Sequence, residues 1–162
     1  MNPTSILKNA DTKNADQYTV IGQAVGLLGL RLLLAYEFFE AGWEKFNGSN
    51  WFADIQSEFP FPFSQLPPEL NWNMAMCSEL VFPVLLVLGL FTRFSALALT
   101  ALTAVAWYAV HAGNGYNVGQ GGYKLALIYI VMLLPLIGQG AGALSLDNLW
   151  QRHRSQCRHR NK

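Results

Sequence analysis

The sequence predicts an all-α membrane protein: a four-helix antiparallel transmembrane bundle with an interfacial helix in the first outer loop. Three observations predict it. Of 162 residues, 52% are hydrophobic and 13% charged, against a charged share of about 25% in ordinary soluble domains. The apolar residues gather in four segments, roughly 20–43, 72–91, 94–112 and 123–140, each near the ~20 residues that cross a ~30 Å hydrocarbon core. Helices apolar on every face would need a far larger protein to bury them in water. The chain therefore divides into a polar N-terminus over 1–19, a membrane domain over 20–148 and a basic tail over 149–162.

The N-terminal stretch lacks a basic region followed by a short apolar core, so no cleavable signal peptide is expected and the first apolar segment does the targeting. After that segment comes "WFADIQSEFPFPFSQLPPEL". Trp51, Phe52, Ile55 and Phe59 fall on one helical face, and Pro60, Pro62, Pro67 and Pro68 follow. This predicts a short helix lying on the membrane surface and an extended return. The second segment contains Pro83 and the fourth Pro135, both expected to kink their helices. In the third, Ala96, Thr100 and Ala104 recur at i, i+4, i+8, a small-residue stripe that lets helices approach closely. The linker "GNGYNVGQGG" (113–122) has no preceding strand and no following acid, so it reads as a flexible outer turn rather than a nucleotide loop. Beyond the fourth segment, "GQGAGALSLDNLWQRHR" breaks the helix and restarts it, capped by Ser145 or Asp147, as a basic interfacial helix.

Lys and Arg set the orientation. Arg93 occupies the short 91–94 turn, and Arg152, Arg154, Arg158, Arg160 and Lys162 crowd the tail. The 44–71 loop sets one lysine against Glu44, Asp54, Glu58 and Glu69, and 113–122 is uncharged. Both termini are therefore expected inside and the two longer loops outside. Beside long apolar runs a basic tail marks the cytoplasmic face rather than a nucleic-acid site. Trp43, Trp72 and Trp107 fall at the outer boundary and Trp150 at the inner one, as in an aromatic belt.

Ionisable residues inside the spans are the candidate site. Glu37, Glu40 and Glu44 form one stripe at ~100° per residue, while Arg31 points about 180° from Glu40. Arg31 is expected to anchor structure, snorkelling to inner headgroups or meeting an acid on another helix. Glu37 lies ~9 Å below Trp43 and Glu79 ~10 Å below Trp72 at 1.5 Å per residue. His111 ends the third span and Lys124 begins the fourth on the same side. Isolated carboxylates in lipid are costly, so Glu37, Glu40, Glu79, His111 and Lys124 are expected to share one outward polar pocket. Two readings stay open: an ion-pair network that fixes helix register, or a pocket handling protons, a headgroup or a metal. Glu44, past Trp43, is expected to be solvated. Met74 and Cys77 share a helical face and with His111 form a soft-ligand candidate for copper; the alternative is apolar packing.

The segments "GLRLLLAYEFFEAGWEKF", "SELVFPVLLVLGLFTRFSALAL" and "GGYKLALIYIVMLLPLIGQGAGALSLD", in that order, resemble the DoxX family of small four-span bacterial membrane proteins over roughly 22–148. The resemblance implies an inner-membrane location and an auxiliary role in a quinone-linked redox system. The partners it implies are other membrane or periplasmic redox proteins. It also implies that Glu79 matches the family's second-span acid, Arg93 its cytoplasmic TR and Asp147 its SLD element. Lys124 departs from the acid common after the glycines. The fourth-span wording is similar to a subfamily encoded beside modified copper-binding peptides, which implies the alternative: a binding or transport component serving copper or a secreted peptide. Catalysis is left open. Cys77 and Cys157 lie on opposite sides of a ~30 Å core, too far for a disulfide, which needs Cα atoms within about 7 Å. A reporter fused after Lys162 should read cytoplasmic and one inserted at Gln65 external; opposite labelling at either site would overturn the orientation.

Overall fold

The structure, a computed structural model, describes residues 3–148, with side chains from residue 17 onward. The described residues form helices and turns without strands. Helix α1 runs Pro3–Asn47, α2 Pro68–Leu88, α3 Thr92–Ala106 and α4 Lys124–Gln139. They pack in a ring: α1 on α2, α2 on α3, α3 on α4, and α4 back on α1. Three stretches are long and apolar enough to cross a membrane: Gln17–Asn47, Pro68–Leu88 and Thr92–Asn114. The α4 helix is a shorter apolar helix of 16 residues, ~24 Å long. Helical backbone in α1 begins well before the apolar segment expected from the sequence. The basic tail, with Trp150 and Cys157, lies outside the described residues.

The ring closes around an apolar core that includes Leu34, Phe38, Leu86, Leu99, Leu133 and Leu136. Outward faces carry exposed Val81, Val84, Val87, Leu97, Val131 and Leu134, a surface suited to acyl chains rather than water. The α3 helix turns Thr92, Ser95, Ala96, Leu99 and Thr103 inward. Of the small-residue stripe, Ala96 is buried but Ala104 is exposed, so the packing seam follows a different set of positions. The hydroxyls of Thr100 and Thr103 donate back to the carbonyls of Ala96 and Leu99 at 2.7 Å, which hides them on an apolar helix. After Ala106 the helix widens into a π turn over Trp107–His111.

Arg31 organises one end of the ring. It is 1% exposed, so it does not snorkel, and its partners are backbone carbonyls rather than a lone acid. Its Nε donates to the carbonyl of Leu86 and its Nη2 to that of Val87, both at 2.7 Å. Its Nη1 donates to the carbonyls of Ala141 at 3.0 Å and Leu144 at 2.7 Å. Two of these acceptors sit in the last turn of α2, where carbonyls lack the regular helical donor; the Leu86 carbonyl also accepts from the Gly89 amide at 3.1 Å. The other two belong to the turn after α4. Gly89, at φ 66°, makes this possible: a Cβ there would sit 2.8 Å from Arg31 Nη2 and 2.6 Å from the Ser145 Cβ.

The "SLD" element completes the same node. Ser145 Oγ accepts from the Asn148 amide at 3.2 Å, the cap geometry expected where the helix restarts. Asp147 accepts from the amides of Phe91 at 3.2 Å and Thr92 at 3.4 Å. Phe91 takes the left-handed conformation at φ 47°, a strain of order 1 kcal/mol for a residue with a side chain. Arg93 Nη2 donates to the Gly138 carbonyl at 3.0 Å, tying α3 to the end of α4. Replacing Arg31 by Leu should cost about 3 kcal/mol or more, since each buried carbonyl left without a donor costs about 1–3 kcal/mol. Arg31→Lys should recover only part, because an ammonium lacks the planar fork. Unfolding in detergent micelles measures both; a loss below ~1 kcal/mol for the Leu variant would refute the assignment.

Candidate functional site

The other end of the ring is built differently. The α1–α2 connection is not one regular helix. It forms a 3₁₀ segment, Phe52–Glu58, broken at Ile55, and a second turn, Phe63–Gln65. Phe52 and Phe59 are buried on Trp72, with Phe52 meeting Trp72 edge-on at 5.1 Å. The apolar face predicted from sequence exists, but it covers the helices instead of facing lipid. Trp72 is correspondingly buried and is not a belt residue, whereas Trp43 is exposed. Polar bonds hold the cover: Gln56 Nε2 reaches the Leu66 carbonyl at 2.7 Å and the Phe63 carbonyl at 3.0 Å. Asn71 Nδ2 donates to the Phe63 carbonyl at 2.8 Å.

Beneath this cover lies a cavity of about 740 Å³, within the usual ~300–1,000 Å³ of small-molecule sites. Glu37, Glu40, Glu44, Lys45, Glu79 and His111 all line it. Tyr129 of α4 donates to Glu37 Oε2 at 2.5 Å. Lys45 Nζ lies 2.7 Å from Glu79 Oε2, with both side chains largely buried. His111 Nδ1 lies 2.6 Å from the Gly121 carbonyl; since a carbonyl only accepts, Nδ1 carries the proton and a neutral ring leaves Nε2 as an acceptor. The rest of the wall is largely apolar, with Phe52, Phe59 and Phe63 from the cover.

Of the five residues expected to share a pocket, Glu37, Glu40, Glu79 and His111 line this cavity. Lys124 does not; its Nζ sits 5.7 Å over the Tyr116 ring in the turn between α3 and α4. Glu79 is paired instead with Lys45, which the sequence assigns to the loop. Glu44 is exposed, as expected, and also reaches the cavity wall. Gly42 explains Lys45: a Cβ there would lie 2.9 Å from both the carbonyl carbon and the Cβ of Glu79. This glycine brings α1 onto α2, and Lys45, one turn on along the same face, meets the carboxylate. Tyr129 carried no signal beyond its place in an apolar run. The "EAGWEK" stretch did carry one, a small residue three positions before a lone cation.

The soft-ligand set does not converge. Met74 and His111 line the cavity, but Cys77 is exposed and absent from its wall. Among the described residues no group of three or more His, Cys, Asp or Glu side chains is arranged to hold a metal.

A family model for DoxX matches residues 26–112, from within α1 through Ala112. The chain belongs to the DoxX family. It is a membrane protein whose apolar helices contact the lipid bilayer. It is 64% identical to an uncharacterized protein of Haemophilus influenzae over 129 residues, 80% of this chain and 85% of that protein. A second uncharacterized protein of the same organism is 35% identical over 126 residues, 74% of this chain and 86% of that one. No solved structure matches. Within this DoxX chain, the matched segment contains Glu37, Gly42, Lys45, Glu79 and His111. Lys45→Met should strand the Glu79 carboxylate and cost roughly 3–5 kcal/mol. The double variant Lys45→Met, Glu79→Met should regain most of it, since apolar replacement of a whole buried pair is often neutral. A double-mutant cycle in detergent checks this; additive losses would mean the two residues are not coupled.

Proposed function

We propose that this DoxX protein is a four-span component of a bacterial inner membrane, with both termini cytoplasmic. Its outward-facing cavity receives the polar end of an amphiphilic molecule. It acts as an auxiliary binding subunit beside a partner protein in the membrane or periplasm. The observation that carries this reading is the cavity itself. Aromatic and aliphatic walls meet a cluster of ionisable side chains in one space, an arrangement suited to a molecule with a polar head and an apolar body. Orientation rests on the lysine and arginine distribution, and the auxiliary role on family membership.

A quinone headgroup, which the family implies, fits this rim poorly. Its carbonyl oxygens only accept hydrogen bonds and need donors. Tyr129 is committed to Glu37 and Lys45 to Glu79, and His111 Nδ1 to Gly121. Four carboxylates face a single ammonium around the cavity. The rim is thus richer in acceptors than in donors, the reverse of what a quinone needs.

Access can be tested directly. In a Cys77→Ser, Cys157→Ser background, Ser78→Cys places a thiol on the cavity wall. A membrane-impermeant maleimide added outside spheroplasts should label it, and a bound amphiphile should protect it. Labelling only from the cytoplasmic side would overturn the outward orientation.

A further inference from the structure

The unmatched acceptors of the cavity point to a ligand class. Glu40 and Glu44 are exposed residues on the wall, one helical turn apart, and neither is held in one of the cavity's two side-chain pairs, Lys45–Glu79 and Tyr129–Glu37. Asn71 belongs to the frame of the site. It is 4% exposed and lines the same cavity. Its Nδ2 points at two acceptors, the Phe63 carbonyl at 2.8 Å and Gln56 Oε1 at 3.4 Å. That fixes the amide's orientation and leaves Oδ1 buried without a partner. That oxygen is closed off from the cavity, so Asn71 shapes the wall through its Nδ2 bonds to the cover.

The remaining polar groups do not redress the balance. Ser78 offers one hydroxyl and Trp51 one indole N–H, neither of them charged. The rim therefore holds excess negative charge and excess acceptor capacity. The aromatic cover adds to the same preference, because the faces of Phe and Trp rings attract cations. Its rings, Trp51, Phe52, Phe59 and Phe63, line the cavity alongside the acids.

We propose that the cavity binds an amphiphilic organic cation, a protonated amine joined to an apolar body. Its ammonium engages Glu40 and Glu44, and its apolar body lies against the aromatic wall. This rests on the reading of the cavity as an amphiphile site and specifies the headgroup. The Lys45–Glu79 and Tyr129–Glu37 pairs stay intact and hold the rim in place.

The test uses the full-length protein in lipid nanodiscs, with empty nanodiscs as baseline and tryptophan fluorescence as readout. Dodecylamine, dodecanol and decyl-ubiquinone serve as probes of one apolar character and three headgroups. Dodecylamine should bind at least about tenfold more tightly than dodecanol, and added salt should narrow the gap. Glu40→Gln with Glu44→Gln should weaken the amine by about tenfold, two exposed ion pairs at the upper end of their usual strength, and leave dodecanol unchanged. Both positions are exposed, and an unchanged melting curve confirms that the variant folds. Equal binding of amine and alcohol would overturn the cation assignment while leaving the amphiphile site standing. Tighter binding of decyl-ubiquinone would overturn it in favour of a quinone. No binding by any probe would overturn the amphiphile site itself.

Discussion

The guanidinium of Arg31 is the constraint on which the ring of helices depends. A charge 1% exposed within a membrane segment is tolerated only if its donors are met. Here they are met by carbonyls of two chain segments more than fifty residues away in sequence. The acceptors have capacity to spare because they lie where helices end; the Leu86 carbonyl takes Arg31 in addition to the Gly89 amide. Arg31 thus meets two costs at once, its own desolvation and the under-satisfied carbonyls at the end of α2. It also dictates local sequence: a glycine at 89 to leave room, and an acid at 147 to hold the next turn.

The two ends of the molecule use charge in opposite ways. At the Arg31 end, one cation is surrounded by neutral acceptors and sealed. At the cavity end, four carboxylates share one lysine beneath an aromatic cover. Between them the core is largely apolar. The sealed end fixes how the helices meet, so the open end can keep unmatched groups without the helices rearranging to neutralise them. Gly42 plays there the part that Gly89 plays opposite, allowing one close approach that places one cation.

Much of this was legible in the sequence. Segment lengths and composition located the apolar helices, and period arithmetic placed Glu37 and Glu40 on one side of α1. Equal depth below aromatic residues brought Glu79 to them. Two kinds of information were not legible. Pairing across helices depends on rotation about each axis, which apolar helices barely encode because all their faces are alike; hence Lys45, not Lys124, meets Glu79. The fate of an amphipathic loop is the second. A face such as Phe52 and Phe59 suits lipid and protein equally well, and only the position of Trp72 beneath it decides.

The π turn at Trp107–His111 is the remaining irregularity, and its position relates to the cavity. A π turn inserts an extra residue into a helix and rotates the residues beyond it. Here it immediately succeeds Val105 and Ala106, which line the cavity, and it carries Val110 and His111 to the same wall. The Gly121 carbonyl then fixes the imidazole. Local consistency is usually broken where function requires it. In α3 the break falls where the helix leaves the packed core and begins to form the rim, so one element serves both the sealed body and the open end.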